Sequence, residues 1–181
     1  VWAGRLIKWK HPEFCLDAAK KLIADGLDFE INIIGNGEME EELKKGIEEE
    51  KLGSYVKMLG SMPPEKVRNY MEESEIYLFT SDRGEGWGVV LNEAMNSGCA
   101  VVASYSTGSV PFVVKDKQNG LIYKNDNVDD FYSQLKYLLS NKKETERIGR
   151  NAYESITNMW NPKVAAERLY KFTDAYLNGE D

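Results

Sequence analysis

The feature that most constrains this chain is a repeated alternation of short β-rich runs with longer helical patterns. FEINIIG precedes EMEEELKKGIEEEK, YVKMLG precedes PPEKVRNYMEES, IYLFTS precedes WGVVLNEAMNSG, and CAVVAS follows. Runs of Val, Ile, Leu and Phe with little polar alternation need cover on both faces, and helical connections supply it. The pattern predicts βαβ units in an α/β fold built on a doubly wound parallel sheet. Proline and an acid mark helix starts at His11-Pro12-Glu13 and Pro63-Pro64-Glu65, while Gly26, Gly53 and Gly98 mark ends. After GLIYK three helical segments follow without a strand, at about 127–140, 142–158 and 162–177. The last carries a stripe of Val164, Leu169, Phe172, Ala175 and Tyr176, expected to serve core or interdomain packing. No repeat, low-complexity tract or linker interrupts the chain, which reads as one domain over residues 1–181.

Composition removes several function classes. The 181 residues carry a formal net charge of −7, which argues against a general nucleic-acid surface and requires any anionic ligand to meet a local basic site. Apolar runs fall far short of the roughly 20 residues that span a bilayer. Cys15 and Cys99 form no C-x-x-C pair and read as buried thiols in a reducing, cytoplasmic setting. With His11 as the lone histidine, the usual zinc sites and a Ser-His-Asp triad lack raw material, and no metal site is expected. The opening VWAGR reads as the middle of a strand, so an upstream segment is expected.

Four constellations could carry chemistry. Residues 1–12 hold Arg5, Lys8 and Lys10 without one acid, against the sign of the whole chain. At the carboxyl edge of an open sheet, a guanidinium fork and a mobile ammonium suit a diphosphate, though a solvated basic loop would look the same. In SDRGEGWGVVLNEAMNSG a strand ends, a glycine-rich loop turns and a helix begins near Gly88. Amides of Trp87 to Val90 would favour an anion, and Glu85 and Glu93, eight residues apart, would face one cleft and accept hydrogen bonds from sugar hydroxyls. A loop acid and a solvated acid would give the same letters. GNGEME at Gly35 to Glu40 opens like a dinucleotide fingerprint but has Glu40 where the third glycine belongs, so it reads as a tight turn lining a nucleotide cleft. STGSVP, Ser106 to Pro111, could present amides to phosphate or be only a turn. The acidic run from Glu38 to Lys51 pairs Glu40 with Lys44 and Glu41 with Lys45 at helical spacing, a solvated face.

Taken in order, GR-x4-K at Gly4 to Lys10, IIGNGEM, VKMLG, the E-x7-E run EGWGVVLNE, the G-S-V-P loop, NGLIY and the final MWNP resemble the donor-binding half of retaining glycosyltransferases with the GT-B fold, the glycosyl transferases group 1 family. The resemblance implies a Rossmann-like C-terminal domain that binds a nucleotide-diphosphate sugar, with no cofactor and no metal, for transfer to a polysaccharide or glycolipid. It implies that Arg5 and Lys10 bind the diphosphate and stabilise the leaving group. Glu85 would contact the transferred sugar and act in catalysis, and Glu93 would hold the ribose. Trp87, Gly88 and Val89 would offer backbone, and Gly35, Gly37 and the stretch from Met58 to Met62 would lie near the nucleoside. The implied partners are the nucleotide sugar and an N-terminal acceptor domain outside this chain, through which the whole protein would associate peripherally with the inner face of the membrane. A hexosyltransferase is expected, inactive as this fragment. Trp87 stands where phenylalanine is commoner, and Ser109 and Phe112 depart from the pattern G-G-x-P-E. The alternatives are a non-catalytic nucleotide-binding module, a phosphorylase or epimerase of the same fold, and an NAD-dependent oxidoreductase.

Overall fold

A computed structural model describes residues 1–124 and 127–179. Among the described residues six parallel strands form: β1 Trp2–Ala3, β2 Ile31–Ile34, β3 Val56–Gly60, β4 Ile76–Phe79, β5 Ala100–Ser104 and β6 Leu121–Tyr123. They pair as two three-stranded sheets, β1-β2-β3 and β4-β5-β6. Val1 joins the two, its amino group donating to the Ile76 carbonyl at 2.7 Å and its carbonyl accepting from the Leu78 amide at 2.9 Å. The spatial order is therefore 3-2-1-4-5-6. Its reversal between β1 and β4 is the place where open α/β sheets form a ligand crevice at the strands' carboxyl ends.

Eight α-helices accompany the strands among the described residues: α1 Phe14–Ala24, α2 Glu40–Glu49, α3 Pro64–Glu72, α4 Val89–Asn96, α5 Val110–Val113, α6 Val128–Ser140, α7 Lys142–Asn158 and α8 Pro162–Asn178. Because successive strand side chains point to opposite faces, each strand feeds two cores. Ile31, Ile33, Ile76, Leu78 and Val102 pack with Phe14, Leu22, Leu43, Phe131 and Leu135 from α1, α2 and α6. Tyr77, Phe79, Val101 and Ala103 pack with Met71, Leu91, Met95, Ala152 and Ile156 from α3, α4 and α7. The sheet is doubly wound, as its apolar strands predict.

Several local expectations need correction. The first helix begins at Phe14, two residues beyond Pro12, because His11 takes the left-handed region (φ 46°) and a turn precedes the helix. Gly26 and Gly98 do end helices with positive φ, but after α2 that conformation falls on Lys51, and Gly53 lies beyond it. Lys44 pairs with Glu40 at 2.8 Å and also with Glu41 at 2.9 Å, so Lys45 turns to Glu49 instead. The apolar stripe of α8 does not serve this chain's core: Leu169, Phe172 and Tyr176 are 67–75% exposed. Both cysteines are buried and free, and burial pushes the Cys15 thiol up to about 12 and the Cys99 thiol to about 11. No helix among the described residues is long and apolar enough to cross a membrane.

Candidate functional site

β1 and β4 leave the sheet as neighbours, and the segments that continue them are bolted together. The Trp2 indole N–H donates to the Thr80 hydroxyl at 2.8 Å, and that hydroxyl donates to the Lys10 carbonyl at 2.5 Å. The Asp82 amide donates to the Trp9 carbonyl at 2.8 Å, and the Tyr77 phenol to the Ala3 carbonyl at 2.9 Å. This lattice brings the basic loop to the glycine-rich loop, where the Lys10 ammonium forms an ion pair with the Glu85 carboxylate. Both side chains are largely shielded, at 12% and 19% exposed, so the pair is far less screened than a surface bridge.

The pair stands in a cavity of about 270 Å³, bounded by Gly4, Gly35, Ser61, Met62 and Gly88 to Val90. Gly88 supplies the turn into α4 with φ +72°, and a Cβ there would lie 2.4 Å from the Phe79 ring. α4 has no side-chain cap and no acid in its first turn. The Leu91 amide closes on the Gly88 carbonyl at 2.8 Å, which leaves the amides of Val89 and Val90 and the helix dipole for an anion in the cavity. Gly35 is required for another reason: a Cβ would lie 1.8 Å from the Gly4 carbonyl oxygen, because the GNG turn is laced to the basic loop. Gly4 donates to Ile34 and Leu6 to Asn36, at 2.9 and 2.8 Å, and Met39 donates to Leu6 at 3.0 Å.

A second cavity, about 260 Å³, adjoins the first across Met62 and Val67 and holds Glu93 with Arg68, Asn96 and Ser97. Glu85 and Glu93 thus occupy neighbouring compartments rather than one. Glu93 lies one helical turn beyond Val89 and Val90, and a turn advances about 5.4 Å along the axis. Together the compartments give a bipartite groove. A larger cavity, about 410 Å³, lies at the other end of the strands beside Val1, Ile31 and Ile76, away from the basic loop.

The other sequence candidates fall in distinct places. Arg5 is exposed, with its guanidinium carbon 5.9 Å from the centroid of the Trp9 ring, and its neighbour Gly4 reaches the cavity. Gly37 packs on Leu6. Met58 packs against the α1 side of the sheet and does not line either compartment, whereas Met62 lies between them. The Trp87 indole turns outward, donates to Asn92 at 3.0 Å and stacks on Phe112 at 6.4 Å and 19°. Two departures from the family pattern therefore rest on each other. The STGSVP loop braces the glycine-rich loop: the Thr107 hydroxyl donates to Ser81 at 2.7 Å, and the Gly108 amide approaches the Glu85 carbonyl at 3.4 Å.

Thr80, Asp82 and His11 did not stand out in the sequence as site residues. Thr80 and Asp82 had one available signal, a polar pair closing an otherwise apolar strand at its carboxyl edge. His11 places Nδ1 2.8 Å from Glu13 and Nε2 3.3 Å from Asp82. Burial lowers its pKa, but the two carboxylates outweigh that and the net direction is upward.

The family profile described as glycosyl transferases group 1 matches residues 1–155. The chain belongs to that family. Among its relatives is the putative colanic acid biosynthesis glycosyltransferase WcaL of Salmonella typhimurium, 29% identical over 92% of this chain and 40% of that protein. This chain therefore spans well under half the length of that relative. The fold matches S. aureus TarM crystallised with fondaparinux, alpha-GlcNAc-glycerol and UDP, with a TM-score of 0.83 and 22% identity, over 93% of this chain and 34% of that one. It also matches the C-terminal domain of the group 1 protein LpcC from Francisella tularensis, with a TM-score of 0.78 and 22% identity, over 89% of this chain and 85% of that one. The architecture is that of a GT-B C-terminal domain.

Proposed function

We propose that this group 1 domain binds the nucleotide-diphosphate sugar of a retaining, metal-independent hexosyltransferase whose acceptor is a polysaccharide or glycolipid. The observation that carries the reading is the shielded Lys10–Glu85 pair at the unneutralised N-terminus of α4, at the switch between β1 and β4. A diphosphate between Lys10 and the α4 amides would replace one carboxylate as the ammonium's partner and release Glu85 to sugar hydroxyls. The adjoining compartment, with Glu93 at its side, suits the ribose and base. Arg5, one residue from the cavity wall, can swing its fork from Trp9 to the phosphates. As the sugar–phosphate bond breaks, charge accumulates on the leaving phosphate, and fixed positive groups there lower the barrier. The acceptor would be held by an N-terminal domain outside this chain, with transfer taking place on the cytoplasmic side of a membrane.

Isothermal titration of the chain with UDP, GDP and ADP, with and without a divalent ion, tests this. One nucleotide should bind without the ion, and Lys10→Ala should weaken it by about tenfold or more. Failure of all three to bind would leave a non-catalytic module as the better account. In the whole enzyme, Arg5→Ala or Lys10→Ala should lower turnover by on the order of a hundredfold, the effect of losing one preorganised donor, about 3 kcal/mol. Glu85→Gln should lower the transfer rate more than it weakens donor binding.

A further inference from the structure

His11 stands between the basic loop and the first turn before α1, in a conformation that costs a side-chain-bearing residue free energy. Its φ of 46° and ψ of 51° are left-handed. Lys51 and Lys117 share positive φ among the described residues, and both are exposed. A strained, part-buried residue with both ring nitrogens directed at carboxylates points from the outlier to a function.

Asp82 links that ring to the glycine-rich loop. One of its carboxylate oxygens faces His11 Nε2 at 3.3 Å, and the other accepts the Gly84 amide at 2.6 Å. Its own amide holds the Trp9 carbonyl, and its carbonyl accepts the Glu85 amide at 3.1 Å. On the other side, Glu13 holds Nδ1 and the Phe14 ring lies 5.1 Å away. His11 directly follows Lys10, and Gly84 directly precedes Glu85, so the link spans the two segments that carry the ion pair.

We propose that His11 is a positioning residue: through Asp82 it clasps the Lys10 loop to the Glu85 loop and sets the spacing that a diphosphate meets. This rests on the donor-binding reading above and adds to it a residue that touches neither ligand nor reacting atoms. His11→Gly removes the ring and relaxes the backbone, Asp82→Asn removes the charge that faces the ring, and His11→Asn keeps a donor on a residue that tolerates the left-handed region.

The test is a double-mutant cycle on the 181-residue chain, titrated with whichever of UDP, GDP and ADP the unmodified chain binds. His11→Gly and Asp82→Asn should each weaken binding by on the order of tenfold. The double variant should be no weaker than the worse single variant, because both act through one contact. His11→Asn should recover part of the loss. Affinity unchanged in His11→Gly, or losses that multiply in the double variant, would overturn the proposal. A second readout needs no nucleotide: the backbone amide resonances of Gly84 and Glu85 should shift in His11→Gly while that of Val102 in β5 stays in place. If none of the nucleotides binds the unmodified chain, the functional reading fails, and these resonances alone decide the clasp; unshifted, they would refute it.

Discussion

Ser109 buries a hydroxyl that has no hydrogen-bond partner among the described residues. An orphaned buried hydroxyl costs free energy that an apolar replacement of similar shape does not, so Ser109→Ala should raise stability by about 1 kcal/mol, measured by urea unfolding. His11 makes a second prediction at this scale. Glu13 and Asp82 face its ring nitrogens, and together they raise its pKa in the folded state. A raised pKa means that the folded state binds the proton more tightly. The stabilisation is complete below the unfolded value of about 6.5 and is lost as pH rises through the folded value. Stability followed from pH 6 to 9 should fall over that range, and His11→Gly should remove the step. The residue types of the site were legible in the sequence because charge and glycine are conspicuous there. The partnership of Lys10 with Glu85 was not, since the two lie 75 positions apart and meet only when the intervening chain folds into a sheet that reverses its order between them.

Among the elements, strands and helices were legible wherever period and breakers agreed. The apolar strands, the proline at the start of α3 and the run of three final helices all stand close to their expected places. What failed was chemistry that sequence spacing alone does not fix. Lys51 adopts a glycine-like conformation because the α2 terminus closes two residues before Gly53. The α8 stripe has helical spacing, yet spacing says that a face is apolar and not what covers it. The GNG turn is tight because the Gly4 carbonyl oxygen leaves no room for a Cβ at Gly35. Gly35→Ala should therefore cost on the order of 3 kcal/mol, from overpacking against backbone in a conformation a side chain disfavours. Thermal unfolding would show it. Equal stability would mean that the lacing between the GNG turn and the basic loop is looser than these distances describe.

For the whole molecule, strand order 3-2-1-4-5-6 is what makes one groove out of four separated motifs. The basic loop after β1, the GNG turn after β2, the segment after β3 and the glycine-rich loop after β4 all emerge at the carboxyl ends of adjacent strands. Motif order in the sequence could suggest this convergence; the hydrogen bonds through Val1 and Thr80 supply it. The net charge of −7 does not set the field in the groove, where the Lys10 ammonium is paired with Glu85 and the α4 dipole points its positive end. The exposed aromatic and aliphatic face of α8 belongs to the same scale: it contributes nothing buried to this chain. The most direct measurement is a crystal structure of the chain with the nucleoside diphosphate it binds. The account predicts the distal phosphate within hydrogen-bonding distance of the Lys10 ammonium and the first amides of α4, with the ribose beside Glu93. A nucleotide seated instead in the cavity beside Val1 and Ile76, with Lys10 still closed on Glu85, would contradict it.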